Sequence, residues 1–101
     1  MLEDFTIQTF SEHLGSTFRI HPEGSEEMDA ELISATELGG STGEEPPGRR
    51  RPFSLVFRGP GNVLLPQRIY RMEHDQIGSF ELFLVPIGPD EKGLRYEAIF
   101  T

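Results

Sequence analysis

Residues 67–100 read QRIYRMEHDQIGSFELFLVPIGPDEKGLRYEAIF and contain three segments in which apolar and polar side chains alternate. Alternation over about four to eight residues is typical of a half-buried β-strand. The segments are 67–74, 79–87 and 94–100, and stretches rich in glycine, aspartate and proline separate them. We therefore predict two consecutive antiparallel hairpins. The middle segment is the most apolar, so we expect it to be the best buried, with pairing failing near Pro86, which has no N–H to donate.

Two further strands are predicted upstream of this region. Residues 53–58 place three apolar side chains, two of them Phe, on one strand face, and residues 16–21 are partly β-branched and alternating. Between these strands, the glycine- and proline-rich stretch 39–52 lacks the apolar residues needed for packing. We expect that stretch to form a long mobile loop.

Residues 26–38 fit two secondary structures. Helical spacing is shown by Met28, Leu32, Ala35 and Leu38. The same segment also fits a strand, one face of which would carry Met28, Ala30, Leu32, Ser34, Thr36 and Leu38. We prefer the strand, because the clear elements that follow are strands and the first strand needs an antiparallel partner after a short turn.

A short helix is predicted at residues 9–14, where Thr9 and Glu12 fit a capping box and Phe10 and Leu14 face the core. All elements together predict one mainly all-β domain over residues 1–101. We expect a six-stranded antiparallel meander, curled into a small barrel or a bent sheet, with the helix plugging one open end. A barrel of this size should be filled by its own side chains.

The composition excludes several classes of protein. The chain has 101 residues, 9 basic and 17 acidic residues, a net charge of −8 and no cysteine. Disulfide scaffolds, zinc–thiolate sites and iron–sulfur clusters are therefore excluded, and nucleic acid is not an expected partner. Neither an apolar run of about 18 residues nor a secretory signal is present, so we expect no membrane partner and a cytoplasmic location.

The charge is divided unevenly along the chain. Residues 1–48 hold eleven acids and one base, whereas residues 49–101 hold six acids and eight bases. The second part opens with Arg49, Arg50 and Arg51, which form a candidate site for a protein partner. This division fits an ordinary solvated surface, or a dipolar surface that orients a partner or a second copy of the chain.

Five stretches carry a family resemblance, 52–59, 65–74, 77–78, 83–89 and 96–100, and so does the opening 10–15 followed by Phe18. Together they resemble the DUF6916-type family of uncharacterised bacterial proteins. Members of that family occur beside phage-tail-collar-like proteins in bacterial genomes, so the resemblance implies an accessory role in such an assembly. It implies no known activity and supplies no catalytic residues.

His74 is the first candidate site residue. With the following Asp75, it could form an acid–base couple or half of a metal site, although an imidazole bonded to the turn backbone is the simpler explanation. His13 and His21 lack a ligand-like spacing with it. No motif has the spacing that catalysis or metal binding needs, so we predict a non-enzymatic protein with no cofactor and no metal.

Two functions from different classes remain. The preferred one is a structural or interaction module that binds a protein partner, or itself, through a sheet edge or its charged loops. The alternative is a small-ligand-binding barrel or minimal enzyme with a site near Tyr70 and His74. That alternative requires a cavity of about 300 Å³ or more on which polar groups converge.

Overall fold

Six strands and one short helix make up the described part of the protein. The computed structural model describes residues 5–24, 26–38 and 52–101. The elements are α1 (Ile7–Ser11), β1 (Thr17–His21), β2 (Met28–Glu37), β3 (Phe53–Gly59), β4 (Arg68–His74), β5 (Gly78–Pro89) and β6 (Leu94–Phe100). The predicted strand within residues 26–38 is confirmed, and the helical alternative is wrong. In the described ranges, no helix has the length and apolar character that crossing a membrane requires.

The strands are antiparallel and close into a barrel in the order β1-β2-β3-β6-β5-β4, which confirms the predicted fold class. Closure comes from β1, which pairs with β2 on one side and β4 on the other. The order departs from a simple meander because β3 pairs with β6 and not with β4. Residues 60–67, which include Pro60 and Pro66, separate β3 from β4. This connection is longer than a tight hairpin uses, so β4 can cross to β1.

The core consists of the inward-facing residues of the strands, closed at one end by the helix. Phe10 of α1 is completely buried. Its ring centroid lies 5.4–6.3 Å from those of Phe18, Phe53, Phe80 and Phe100. Aromatic rings at these separations contribute packing energy beyond simple burial. The predicted plug is therefore present.

The helix begins and ends earlier than the predicted range 9–14 and spans Ile7–Ser11. The backbone N–H of Thr6 donates to Oγ1 of Thr9 at 3.0 Å, so Thr9 lies within the first turn and does not begin the helix. Leu14 was expected in the core and is 50% exposed, because the helix has already ended when the chain reaches it.

β2 changes its inward face part-way along. Its pairing with β3 shifts register between Leu32 and Ser34, which marks a β-bulge. Beyond the bulge, Ala35 packs against the core and Thr36 is exposed. The prediction that Ser34 and Thr36 share the inward face of Leu32 is therefore wrong, since one extra residue reverses the alternation.

β5 is longer and more exposed than predicted. Its first half pairs with β4 and its second half with β6. Pairing continues past Pro86, with a register shift between Pro86 and Gly88, where Gly88 has a φ of +100°. Phe83 is 49% exposed, so β5 is not the best-buried strand. Alternate residues of a barrel strand point outward whatever their polarity, and in β5 some of those residues are apolar.

Candidate functional site

Tyr70 and His74 both lie on the inward face of β4 and are buried. Four residues of strand, about 13 Å, separate them. The hydroxyl of Tyr70 donates to the carbonyl oxygen of Pro66 at 2.5 Å, and burial raises the pKa of Tyr70. His74 contacts the opposite end of the barrel, near Ser16. The structure thus places these two predicted ligand-binding residues in separate environments.

The imidazole of His74 is hydrogen-bonded through both ring nitrogens. Nδ1 accepts the backbone N–H groups of Gln76 and Ile77 at 3.1 and 3.3 Å. Nε2 lies 3.0 Å from Oγ of Ser16, whose hydroxyl donates to the carbonyl oxygen of His13 at 2.7 Å. Because the Ser16 hydroxyl hydrogen is already donated to His13, its oxygen accepts a hydrogen bond from Nε2–H. A ring in which Nδ1 accepts and Nε2 donates is neutral. Burial, and the neighbouring His13, lower the pKa of His74.

The fold brings together two histidines that the sequence keeps apart. The ring centroid of His13 lies 4.5 Å from that of His74, and the ring of Phe18 lies 4.4 Å from His74. His21 lies elsewhere, where its Nε2 is hydrogen-bonded to Glu73. Asp75 forms an ion pair with Arg19 at 3.0 Å and does not orient the imidazole. Across the described ranges, no group of three or more metal-ligating side chains is present.

We expect the protein to lose stability as the pH falls below about 6.5, the ordinary value for histidine. The pKa of His74 is lower in the folded chain than in the unfolded chain. Between the two values the unfolded chain binds more protons, so the free energy of unfolding decreases as the pH falls through this window. Urea denaturation between about pH 8 and about pH 5 measures the slope.

The matched variant for this prediction is His74→Asn, because an amide oxygen can still accept from the 75–77 turn. The variant should show a shallower pH slope than the unsubstituted chain over the same window. Equal slopes in both proteins would mean that His74 is not the titrating group.

A stripe of large apolar side chains crosses the outside of three neighbouring strands. It consists of Ile69 on β4, Phe83 on β5 and Ile99 on β6, which are 62%, 49% and 58% exposed. Ile69 lies opposite Phe83 in the β4–β5 register. Continuing the β5–β6 register beyond Val85 and Glu97 places Ile99 beside Phe83. We call these three residues the outer stripe. Contiguous exposed apolar side chains of this kind mark interaction surfaces.

A groove of about 350 Å³ adjoins the outer stripe. It lies across β4, β5 and β6, and Ile69 and Glu81 are among its lining residues. Phe83 and Ile99 line the groove, and so does the buried Leu82. The barrel wall therefore offers exposed apolar side chains together with a recess beside them.

Comparison with protein-family models matches residues 5–100 to the domain of unknown function DUF6916. The chain belongs to the DUF6916 family. The match includes the helix and all six strands of the barrel, and it confirms the resemblance carried by the sequence. No curated protein and no solved structure matches this DUF6916 domain.

The outer stripe is absent from the sequence-based predictions for this DUF6916 domain, although the strand alternation contains its signal. The inward residues of β5 and β6 are even-numbered, as Leu82 and Ala98 illustrate. Phe83 and Ile99 consequently occupy outward positions, where polar residues are expected. Phe83 was missed because its strand was expected to be the best buried, and Ile99 because a partner was expected at a sheet edge or at the charged loops.

The predicted basic site has no structural description in this DUF6916 domain. Residues 39–51, which include Arg49, Arg50 and Arg51, lie outside the described residues. Their assignment to a protein partner therefore stays a prediction, as does the mobile loop that contains them.

Proposed function

We propose that this DUF6916 domain is a non-catalytic interaction module that binds another protein chain through the outer stripe. The observation that carries the proposal is the exposure of Ile69, Phe83 and Ile99 on adjacent strands. Burying such side chains against a partner removes apolar surface from water, which stabilises the complex by about 25 cal/mol for each Å² buried.

The packing of the barrel interior supports an outward-facing role. Aromatic rings meet inside the barrel, with centroids 5.2 Å apart for Phe18 and Phe57 and 4.5 Å apart for Phe53 and Phe100. The inward hydroxyl of Tyr96 accepts a hydrogen bond from the backbone N–H of Leu65 at 3.1 Å and donates one to a backbone carbonyl oxygen. Polar groups satisfied in this way stabilise the fold and favour a structural role for the interior.

Barrel closure favours docking on a face of the sheet. A partner strand can extend a sheet only where an edge is free, and each of the six strands has neighbours on both sides. The outer stripe presents side chains and needs no free edge. The family resemblance adds a phage-tail-collar-like assembly as the candidate host for such a module.

Affinity enrichment of the tagged full chain from bacterial cells tests this proposal. We expect a co-purifying protein, either a different chain or a co-expressed untagged copy of this one, that is lost with Phe83→Glu, because a carboxylate in the middle of an apolar contact would have to be buried unpaired. The matched control is Leu64→Glu, since Leu64 is 66% exposed and lies outside the outer stripe. An enriched protein retained equally by both variants, or no enriched protein at all, would contradict the proposal.

A further inference from the structure

The geometry points to a second copy of this chain as the occupant of the outer stripe. This inference rests on the proposed function, because it names the partner of that same surface. It follows from three features of the described residues: the shape of the stripe, the charges beside it and the position of the acidic strand.

The outer stripe can pack against the same stripe of a second copy. Its most exposed member, Ile69, lies on β4, and the groove is lined by all three stripe residues together with Glu81. Neighbouring strands are about 4.8 Å apart. A two-fold axis parallel to the strands and passing between β4 and β5 therefore carries each Ile69 onto Phe83 of the other copy, its neighbour in the β4–β5 register. Such a contact is made twice and closes the assembly at a dimer.

The charges beside the outer stripe fit the same arrangement. Arg71 on β4 and Glu81 on β5 are opposite each other in register, and both are exposed. In the part of the chain that the structure describes, neither forms a salt bridge. The two-fold axis brings Arg71 of one copy toward Glu81 of the other, so opposite charges meet at both ends of the contact.

Part of the acidic charge of the described residues lies on the side of the barrel away from this contact. In the closed order, β5 is three strands away from β2 in either direction, so β2 occupies the opposite wall. That wall carries Asp29 and Glu31, and Glu26 and Glu27 immediately precede it. Two copies joined through the outer stripe therefore keep these carboxylates on their far sides, where solvent and salt screen their mutual repulsion.

Sedimentation velocity of the purified full chain tests the inference. The contact is smaller than the roughly 800 Å² per partner of a standard interface, so we expect a weak dimer that populates at concentrations on the order of hundreds of micromolar. Ile69→Asp should weaken association by about tenfold or more, as expected for a central apolar contact. Leu64→Asp, at a similarly exposed residue outside the stripe, should leave association unchanged.

Exchanging the two charges distinguishes loss of the dimer contact from a general loss of folding. Arg71→Glu alone should weaken the dimer, and adding Glu81→Arg should restore it, since the pair regains opposite charges in the new orientation. A chain that stays monomeric over the whole range would overturn the inference, as would failure of the double variant to recover. If such a monomer still loses an enriched protein on Phe83→Glu, the inference falls and the proposed function stands.

Discussion

Phe10→Ala is expected to lower the free energy of unfolding by about 3–5 kcal/mol, the range for removing a fully buried aromatic ring. Phe10 has no exposed surface, and its ring contacts those of Phe18, Phe53, Phe80 and Phe100. These partners belong to four different strands, so they cannot all move inward to fill the cavity. A small domain has a total stability of about 5–15 kcal/mol, so the variant would be close to unfolding.

Phe83→Ala is the matched control for this prediction, because it removes the same ring from the outside of the barrel. Phe83 is 49% exposed, and its loss should cost no more than about 1 kcal/mol. Urea denaturation of both variants measures the difference. Similar losses from the two substitutions would contradict the assignment of Phe10 to the plug and of Phe83 to the surface.

Gly93→Ala is expected to destabilise the protein by about 3 kcal/mol, at the upper end of the effects of overpacking. Gly93 lies in the turn between β5 and β6 and is buried. A Cβ at this position would lie well inside van der Waals contact of the carbonyl oxygen of Gly59 and 3.2 Å from Cγ of Arg58. The obstruction is backbone, so a change of side-chain rotamer cannot relieve it.

The turn that contains Gly93 also cannot shift without losing hydrogen bonds. Oδ1 of Asp90 accepts the backbone N–H groups of Lys92 and Gly93 at 2.9 and 3.0 Å. The guanidinium of Arg58 donates to both carboxylate oxygens of Asp90, with a shortest distance of 2.6 Å. The Arg58 contact, followed by the backbone bonds, lowers the pKa of Asp90 to about 2. These bonds fix the turn against β3.

Gly61→Ala is the control for the turn, measured by the same denaturation. The nearest heavy atom to a Cβ at Gly61 is Cα of Gly93 at 3.7 Å, an ordinary contact. Alanine should therefore leave stability unchanged or raise it by up to about 1 kcal/mol, because it restricts the unfolded chain. A loss at Gly61 as large as that at Gly93 would show that the close approach to Gly59 is not the cause.

Local patterns in the sequence predict most of the secondary structure. Alternation identifies β3 through β6, and it places Tyr70, Met72 and His74 inward, where all three are buried. Thr9 signals a helix near its true position, although the capping interaction runs from Thr9 back to Thr6. These features depend on neighbours in sequence, which is why one sequence is enough to predict them.

Features that depend on contacts between distant parts of the chain are harder to predict from one sequence. The bulge in β2 lies between Leu32 and Ser34, where the sequence has no glycine that would indicate a bulge. The pairing of β3 with β6 follows from barrel closure, and so does the proximity of His13 to His74. The outer stripe depends on which strands are adjacent, so alternation can place its members outward but cannot show that they lie side by side.

The central claim is that the barrel acts through its outer stripe, and photo-cross-linking from within the stripe tests it most directly. A benzoylphenylalanine at position 83 keeps the phenyl ring and extends it outward with a photoreactive benzoyl group, and the same residue at position 64 serves as the control. After irradiation of cells that carry the full chain, we predict an adduct with a second polypeptide from position 83 and none from position 64. No adduct from position 83, or equal adducts from both positions, would contradict the claim.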